Sequence, residues 1–212
     1  MKDNIKSVKV WDIFVRIFHW ALVGSIFGMF LTGDDFKNVH MYLGYFVIVL
    51  ILARILWGLF GSKHARFSDF IYKPGTIYEY LRGLVNGSPK HYLGHNPAGG
   101  FMVVVMLVSL LITAFAGLKT LGGEGRGPLA NNDISIVRPA FADEDEHDEG
   151  SANIASRRQK EQKSEFWGDI HEGMTGFIIF LVIVHVCGVI VSSWVHKENL
   201  IFGMITGRKI IE

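Results

Sequence analysis

The stretch IHEGMTGFIIFLVIVHVCGVIVSSWV, Ile170–Val195, decides how this chain folds. A helix that crosses a bilayer needs roughly 20 mostly apolar residues, and this stretch supplies them. Two histidines interrupt it, His171 at its start and His185 fourteen positions further on. At 1.5 Å of rise per residue the two lie ~21 Å apart along a helix. Fourteen residues is also four turns at about 3.5 residues per turn, so both imidazoles face nearly the same way.

Three further windows have the same character: about 13–32, 39–60 and 98–118. Together the four predict an all-α fold, a transmembrane four-helix bundle running up-down-up-down, as one integral membrane domain over 1–212. A long polar loop, about 122–164, separates the third and fourth spans and reads as mobile. Lys2, Lys6 and Lys9 precede the first window as they would in a signal peptide, but no small-x-small cleavage site follows it. The window is therefore read as a retained helix. Asn96-Pro97 reads as a helix start, with Asn as N-cap and Pro at the first helical position. Ile77–Arg82 reads as a short interfacial helix.

Composition agrees. Of 212 residues, 50% are apolar and 19% charged, against about 25% charged in soluble domains. The mean hydropathy is +0.30. Twenty-one Lys and Arg against 20 Asp and Glu leave a net charge of +1, so no bulk basic field exists for nucleic acid. The single cysteine, Cys187, excludes a disulfide framework, a cysteine zinc site and an iron–sulfur cluster within the chain. It also excludes covalent c-type haem, since no CxxCH occurs.

Lys and Arg near the span ends set the orientation. Lys2, Lys6, Lys9 and Arg16, then Lys63, Arg66, Lys73, Arg82 and Lys90, then Lys197, Arg208 and Lys209 fall on one side of a four-span chain. The other side carries the turn at Asp34–Lys37 and the long loop with its acidic run Asp143–Glu149. Both termini are thus placed in the cytoplasm of a bacterial inner membrane. Trp11, Trp57 and Trp194 would line the cytoplasmic interface and Trp167 the outer one.

Four histidines fall in or at the edge of spans, where ionisable groups are costly and functional by default. His19 lies near the inner end of the first span and His40 near the outer end of the second. His171 is at the outer end of the fourth span and His185 lies deeper. Two levels result, His40 with His171 and His19 with His185. Two imidazoles from facing helices at one depth are what an iron porphyrin requires of its axial positions, and bundle cores house such sites. The expected cofactors are two haem b, held without covalent tethers, the cytoplasmic-side one by His19 and His185 and the periplasmic-side one by His40 and His171. Gly44 and Gly188 would let a flat ring approach their helices. Arg16 and Arg54 would pair with the propionates of the inner haem or, alternatively, snorkel to headgroups. His64, His91, His95 and His196 read as surface or loop residues, with His95 the exception nearest a haem edge or quinone.

The sequence resembles the prokaryotic cytochrome b561 family, which overlaps with the b-type cytochrome subunits of nickel–iron hydrogenases. The resemblance rests on VWDIFVRIFHW (Val10–Trp20), His40 with Leu43-Gly44, RILWGLFGSKHARFSDF (Arg54–Phe70), YLGHNPAGG (Tyr92–Gly100), the pair His171 and His185, and NLIFGMITGRK (Asn199–Lys209). It implies a four-helix bundle with two bis-histidine b haems, ligated by His19, His40, His171 and His185. The gamma subunit of membrane formate dehydrogenase is similar in layout and implies a quinone site near His185 and Gly188. The expected function is electron transfer across the membrane between the quinone pool, ubiquinone or menaquinone, and a periplasmic partner. That partner is a c-type cytochrome or a hydrogenase or other dehydrogenase. The chain makes no bonds in a substrate by itself, and self-association stays open. The alternatives are a dedicated hydrogenase membrane anchor, a haem-free metal-ion transporter, and an assembly subunit in which the haems serve folding only.

Overall fold

The structure is a computed structural model describing residues 6–33, 36–130 and 149–211. The described chain is almost wholly helical. Its elements are β1 (Lys6–Lys9), α1 (Ile13–Thr32), α2 (Lys37–Phe60), a short 3-10 turn at Lys63–Ala65, α3 (Phe67–Phe70), α4 (Pro74–Val85), α5 (Pro97–Gly123), α6 (Glu149–Val195), α7 (Leu200–Thr206) and β2 (Arg208–Ile211). α1, α2, α5 and the apolar stretch of α6 are long and apolar enough to cross a membrane. Their outward residues are apolar: Phe30 is 70% exposed and Ile183 58%. Side chains like these stay uncovered only where the surrounding medium is itself apolar.

Helices α1, α2 and α5 begin within two residues of the expected windows, whereas α6 begins well before Ile170. The starts follow local chemistry. Asp12 caps α1 by accepting from Val15 N at 2.8 Å, and Asn96 caps α5 by accepting from Gly99 N at 2.7 Å, as a side-chain oxygen at an N-cap does. The interfacial segment is helical, as α4. The loop expected over about 122–164 is corrected: α6 starts at Glu149, so its later part is helix. Ala152, Ala155, Arg157, Arg158, Gln159, Lys160, Glu161 and Gln162 are strong helix formers, and in a polar stretch that propensity outweighs the reading of polarity as loop. Of the acidic run Asp143–Glu149, all but Glu149 lies outside the described residues.

The chain divides into two compact units. The first takes residues up to Val108 and from Ile178 onward; the second takes Ser109–Phe177. Within the first, α1 packs on α2, and a Cβ at Gly28 would lie 3.1 Å from Leu43 Cδ1. β1 pairs antiparallel with β2, Lys9 opposite Arg208, and Val10 N and Trp11 N both donate to Gly207 O at 2.9 and 3.1 Å. Gly207 closes α7 with φ +80°, a conformation glycine adopts at no steric cost. Val10, Trp11, Val15 and Ala65 form a buried cluster there, covered by Trp57 and Met204.

The start of α5 is seated tightly. A Cβ at Gly100 would lie 2.2 Å from the backbone oxygen of Phe70, a rigid neighbour that cannot swing aside. Gly100→Ala should therefore destabilise the folded chain by about 1–3 kcal/mol, the usual range for overpacking. Thermal unfolding in detergent checks this, and an unchanged midpoint would refute it.

Candidate functional site

In the first unit α1 and α6 bring His19 and His185 together. Their ring centroids lie 6.4 Å apart with planes inclined at 53°. His19 also meets the Trp20 ring edge-on at 5.2 Å. An imidazole nitrogen binds a first-row metal at about 2 Å, so rings on opposite sides of one metal have centroids about 6 Å apart. The observed spacing fits a single iron between the two rings.

His40, also in the first unit, turns its Nδ1 to the carbonyl of Met29 on α1 at 3.3 Å. In the second unit His171 does the same on α5, with Nδ1 2.9 Å from Thr113 O. Its ring rests on Gly117, where a Cβ would come within 3.0 Å of both Cε1 and Nδ1. A carbonyl facing Nδ1 makes that nitrogen the donor and leaves Nε2 as the lone-pair atom. Metal-bound histidines are commonly held in this way. Among the described residues nothing packs on the glycines expected beside the histidines: a Cβ at Gly44 or Gly188 would meet nothing within 4 Å, and the same holds at Gly173 and Gly176, which follow His171.

Arg54 is 2% exposed. Its Nη1 donates to Ala65 O at 3.1 Å, and its guanidinium lies 5.3 and 5.8 Å from the Phe67 and Phe70 ring centroids. Burial on this scale rules out snorkelling for Arg54. Arg16 donates from Nη1 to Thr206 O at 2.9 Å, while its buried Nε has no protein partner.

The histidines read as surface residues are engaged. His64 pairs with Asp69 at 2.9 Å, His91 with Glu198 at 2.6 Å, and His196 Nε2 with Tyr80 OH at 3.2 Å. His95 packs between Trp11 and Phe70, with ring centroids at 4.5 and 4.6 Å. Burial, then the charges of Arg54 and Lys209 and smaller effects of His64 and His185, push its pKa down to about 3. It is therefore neutral at physiological pH. The place of His95 beside Asn96-Pro97 hinted at this, because a residue leading into a buried helix start cannot lie far from the packing. Gly117 and the two carbonyls carried no readable signal, since the role of Met29 O exists only once α1 and α2 meet in the first unit, and that of Gly117 and Thr113 O only once α5 and α6 meet within the second.

Glu198 accepts from His91 and lies 3.1 Å from Lys209 Nζ. Burial alone would raise its pKa, but His91 and Lys209 prevail and hold it below the ordinary 4.5. A carboxylate lowered in the folded state stabilises that state above its ordinary value, and the benefit fades as pH falls through the folded one. The Tm difference between the natural chain and Glu198→Gln should be widest near neutrality and close below about pH 4.5. A difference independent of pH would contradict this pairing.

These features define a helical membrane protein with imidazoles facing each other inside its spans. The chain belongs to the prokaryotic cytochrome b561 family, whose description matches residues 10–207. Among curated relatives, a protein of Azotobacter vinelandii named probable Ni/Fe-hydrogenase B-type cytochrome subunit is 24% identical over 97% of this chain and 90% of its own length. The protein of that name from Cupriavidus necator is 24% identical over 97% and 88%. An Escherichia coli K12 protein, probable Ni/Fe-hydrogenase 1 B-type cytochrome subunit, is 27% identical over 54% and 61%. No solved structure matches the chain. It is a multi-pass membrane b-type cytochrome that works in electron transfer, and its family uses haem b. Membership removes the haem-free transporter from consideration.

Proposed function

We propose that this chain is a two-haem cytochrome of the bacterial inner membrane that moves electrons between the quinone pool and a periplasmic redox protein. The observation that carries the reading is the 6.4 Å spacing of the His19 and His185 rings. His19 and His185 are the axial ligands of a cytoplasmic-side haem, and His40 and His171 those of a periplasmic-side haem. Carbonyl contacts at Nδ1 of His40 and His171 support that assignment. Haem b, when bound, supplies a one-electron iron couple, whose potential ligation and surroundings tune. The histidines grip the iron, the apolar walls exclude water, and Gly44 and Gly188 give the flat ring room.

One bundle domain, up-down-up-down with both termini in the cytoplasm, completes the reading. Pairing of β1 with β2 supports placing the ends on one side, as does the distribution of Lys and Arg. Ubiquinone or menaquinone would bind near His185 and Gly188. A shallow, open apolar surface bordered by Val189, Ser193, Trp194 and Asn199 lies next to Gly188. Names of the relatives favour a nickel–iron hydrogenase over a c-type cytochrome as the periplasmic partner. Electrons would then run inward to quinone.

The test uses the purified chain in proteoliposomes. Dithionite-reduced haems should be reoxidised by a water-soluble quinone analogue, and a nickel–iron hydrogenase should co-purify with the chain from its native membranes. Haems that neither a quinone nor a quinol analogue can oxidise or reduce would overturn the quinone half of the reading. A c-type cytochrome in place of hydrogenase in the purified complex would reassign the partner.

A further inference from the structure

Among the described residues, the buried side-chain polar atoms without a protein partner are Arg16 Nε, His19 Nδ1 and His95 Nδ1. They gather at one end of the first unit. Arg16 reaches Thr206 O, next to Gly207, whose Cβ position lies 2.7 Å from Arg16 Nη1 and 2.6 Å from Trp11 O. The Trp11 ring in turn packs on His95, and His95 on Phe70. Phe70 also carries the Arg54 guanidinium at 5.8 Å. Two arginines and a histidine thus border one aromatic layer beside the His19–His185 pair.

The local charges do not balance. Neither Arg16 nor Arg54 has a carboxylate at ion-pair distance among the described residues. Asp12 acts on Arg54 through space, but its oxygens are taken by Val15 N, Trp57 Nε1 and Ser62 Oγ, so one carboxylate without direct contact faces two guanidiniums; Asp69 is taken by His64. A buried guanidinium held by one carbonyl and two aromatic faces calls for an anion.

We propose that Arg16, Arg54 and His95 form a carboxylate-binding site and that its ligand is the propionate edge of the haem held by His19 and His185. This rests on the reading of that pair as axial ligands. Arg54 supplies the fixed positive charge. Arg16 through Nε–H and His95 through Nδ1–H supply directed donors, and a charge-assisted bond of this kind is short and strong. His95 is a positioning residue: it orients the porphyrin edge and does not touch the iron. A neutral quinone carbonyl would satisfy the donors but leave the guanidinium charge unopposed.

The experiment compares the full-length chain with His95→Ala, His95→Gln, Arg54→Gln and Arg54→Lys, each in nanodiscs of phosphatidylcholine alone and with phosphatidylglycerol added. Haem per chain is counted first. Potentials are then followed optically, and oxidised-minus-reduced infrared spectra are taken with haem labelled by carbon-13 at the propionate carboxyls. In His95→Ala and Arg54→Gln the label-sensitive carboxylate bands should shift. The reduction equilibrium of one haem should change by about tenfold, the effect of one nearby charge in a partly screened site. His95→Gln and Arg54→Lys should recover part of both signals, which a packing defect would not do. If haem is retained with bands and potentials unchanged, the proposal fails. It also fails if the changes appear only on adding phosphatidylglycerol, because the anion is then a lipid headgroup. Bands unmoved while the response to a quinone analogue weakens would assign the site to quinone instead. A natural chain that binds no haem defeats the parent reading, a result distinct from all of these.

Discussion

Replacing His185 with alanine removes one haem and spares the other, and replacing His19 removes the same one. The reason is the pairing in the first unit, where the two rings stand at the separation one iron imposes. Either imidazole alone leaves the iron five-coordinate and loosely held. The expected readout is half the haem of the natural chain for each single variant. The double variant should lose no more than either single one, because both act on one site and residues of a unit do not add. His40→Ala and His171→Ala should each remove the other haem. The low-spin signals that survive must therefore differ between the two groups of variants. Loss of one common haem on replacing His19 and His40 would show that the levels are wrongly paired.

Gly117→Val has a comparably large effect although it changes no ligand. The His171 ring lies against Gly117, 3.0 Å from the place a Cβ would occupy. A valine adds two methyl groups beyond that atom, so the ring must leave the Thr113 carbonyl that now fixes it at 2.9 Å. Losing that bond frees the imidazole to turn and lowers its basicity as a ligand, and outer contacts of this sort are commonly worth 10–100-fold in metal affinity. The haem expected to disappear is the one that His171→Ala removes. Gly117→Ala, with its single carbon at the edge of tolerance, should shift the potential of that haem and retain it. Full haem content and unaltered potentials in Gly117→Val would contradict the role given to the carbonyl.

The spans were legible because lipid leaves few alternatives: backbone polar groups must be satisfied within the segment, so an apolar stretch of that length is a helix. Capping at Asn96 was legible for a similarly local reason. The helical portion of the polar loop was missed because polarity and helix propensity point in opposite directions there, and propensity won. The pairing of His19 with His185 could be reached from depth and spacing alone, since both quantities follow from the helix rise. What supports each ring could not. Met29 and Thr113 contribute carbonyls that every residue owns, and Gly117 is one glycine among 24 in the chain. Arg54 shows the same limit. Sequence left it between headgroup and cofactor, and only packing against Phe67 and Phe70 separates the two.

The most direct measurement of the central claim is the haem content and spin state of the purified full-length chain, by pyridine haemochrome assay and electron paramagnetic resonance. The two bis-histidine sites proposed require about two haem b per chain, both low-spin as two nitrogen axial ligands dictate. A single haem per chain, or a high-spin iron with an open axial position, would contradict it.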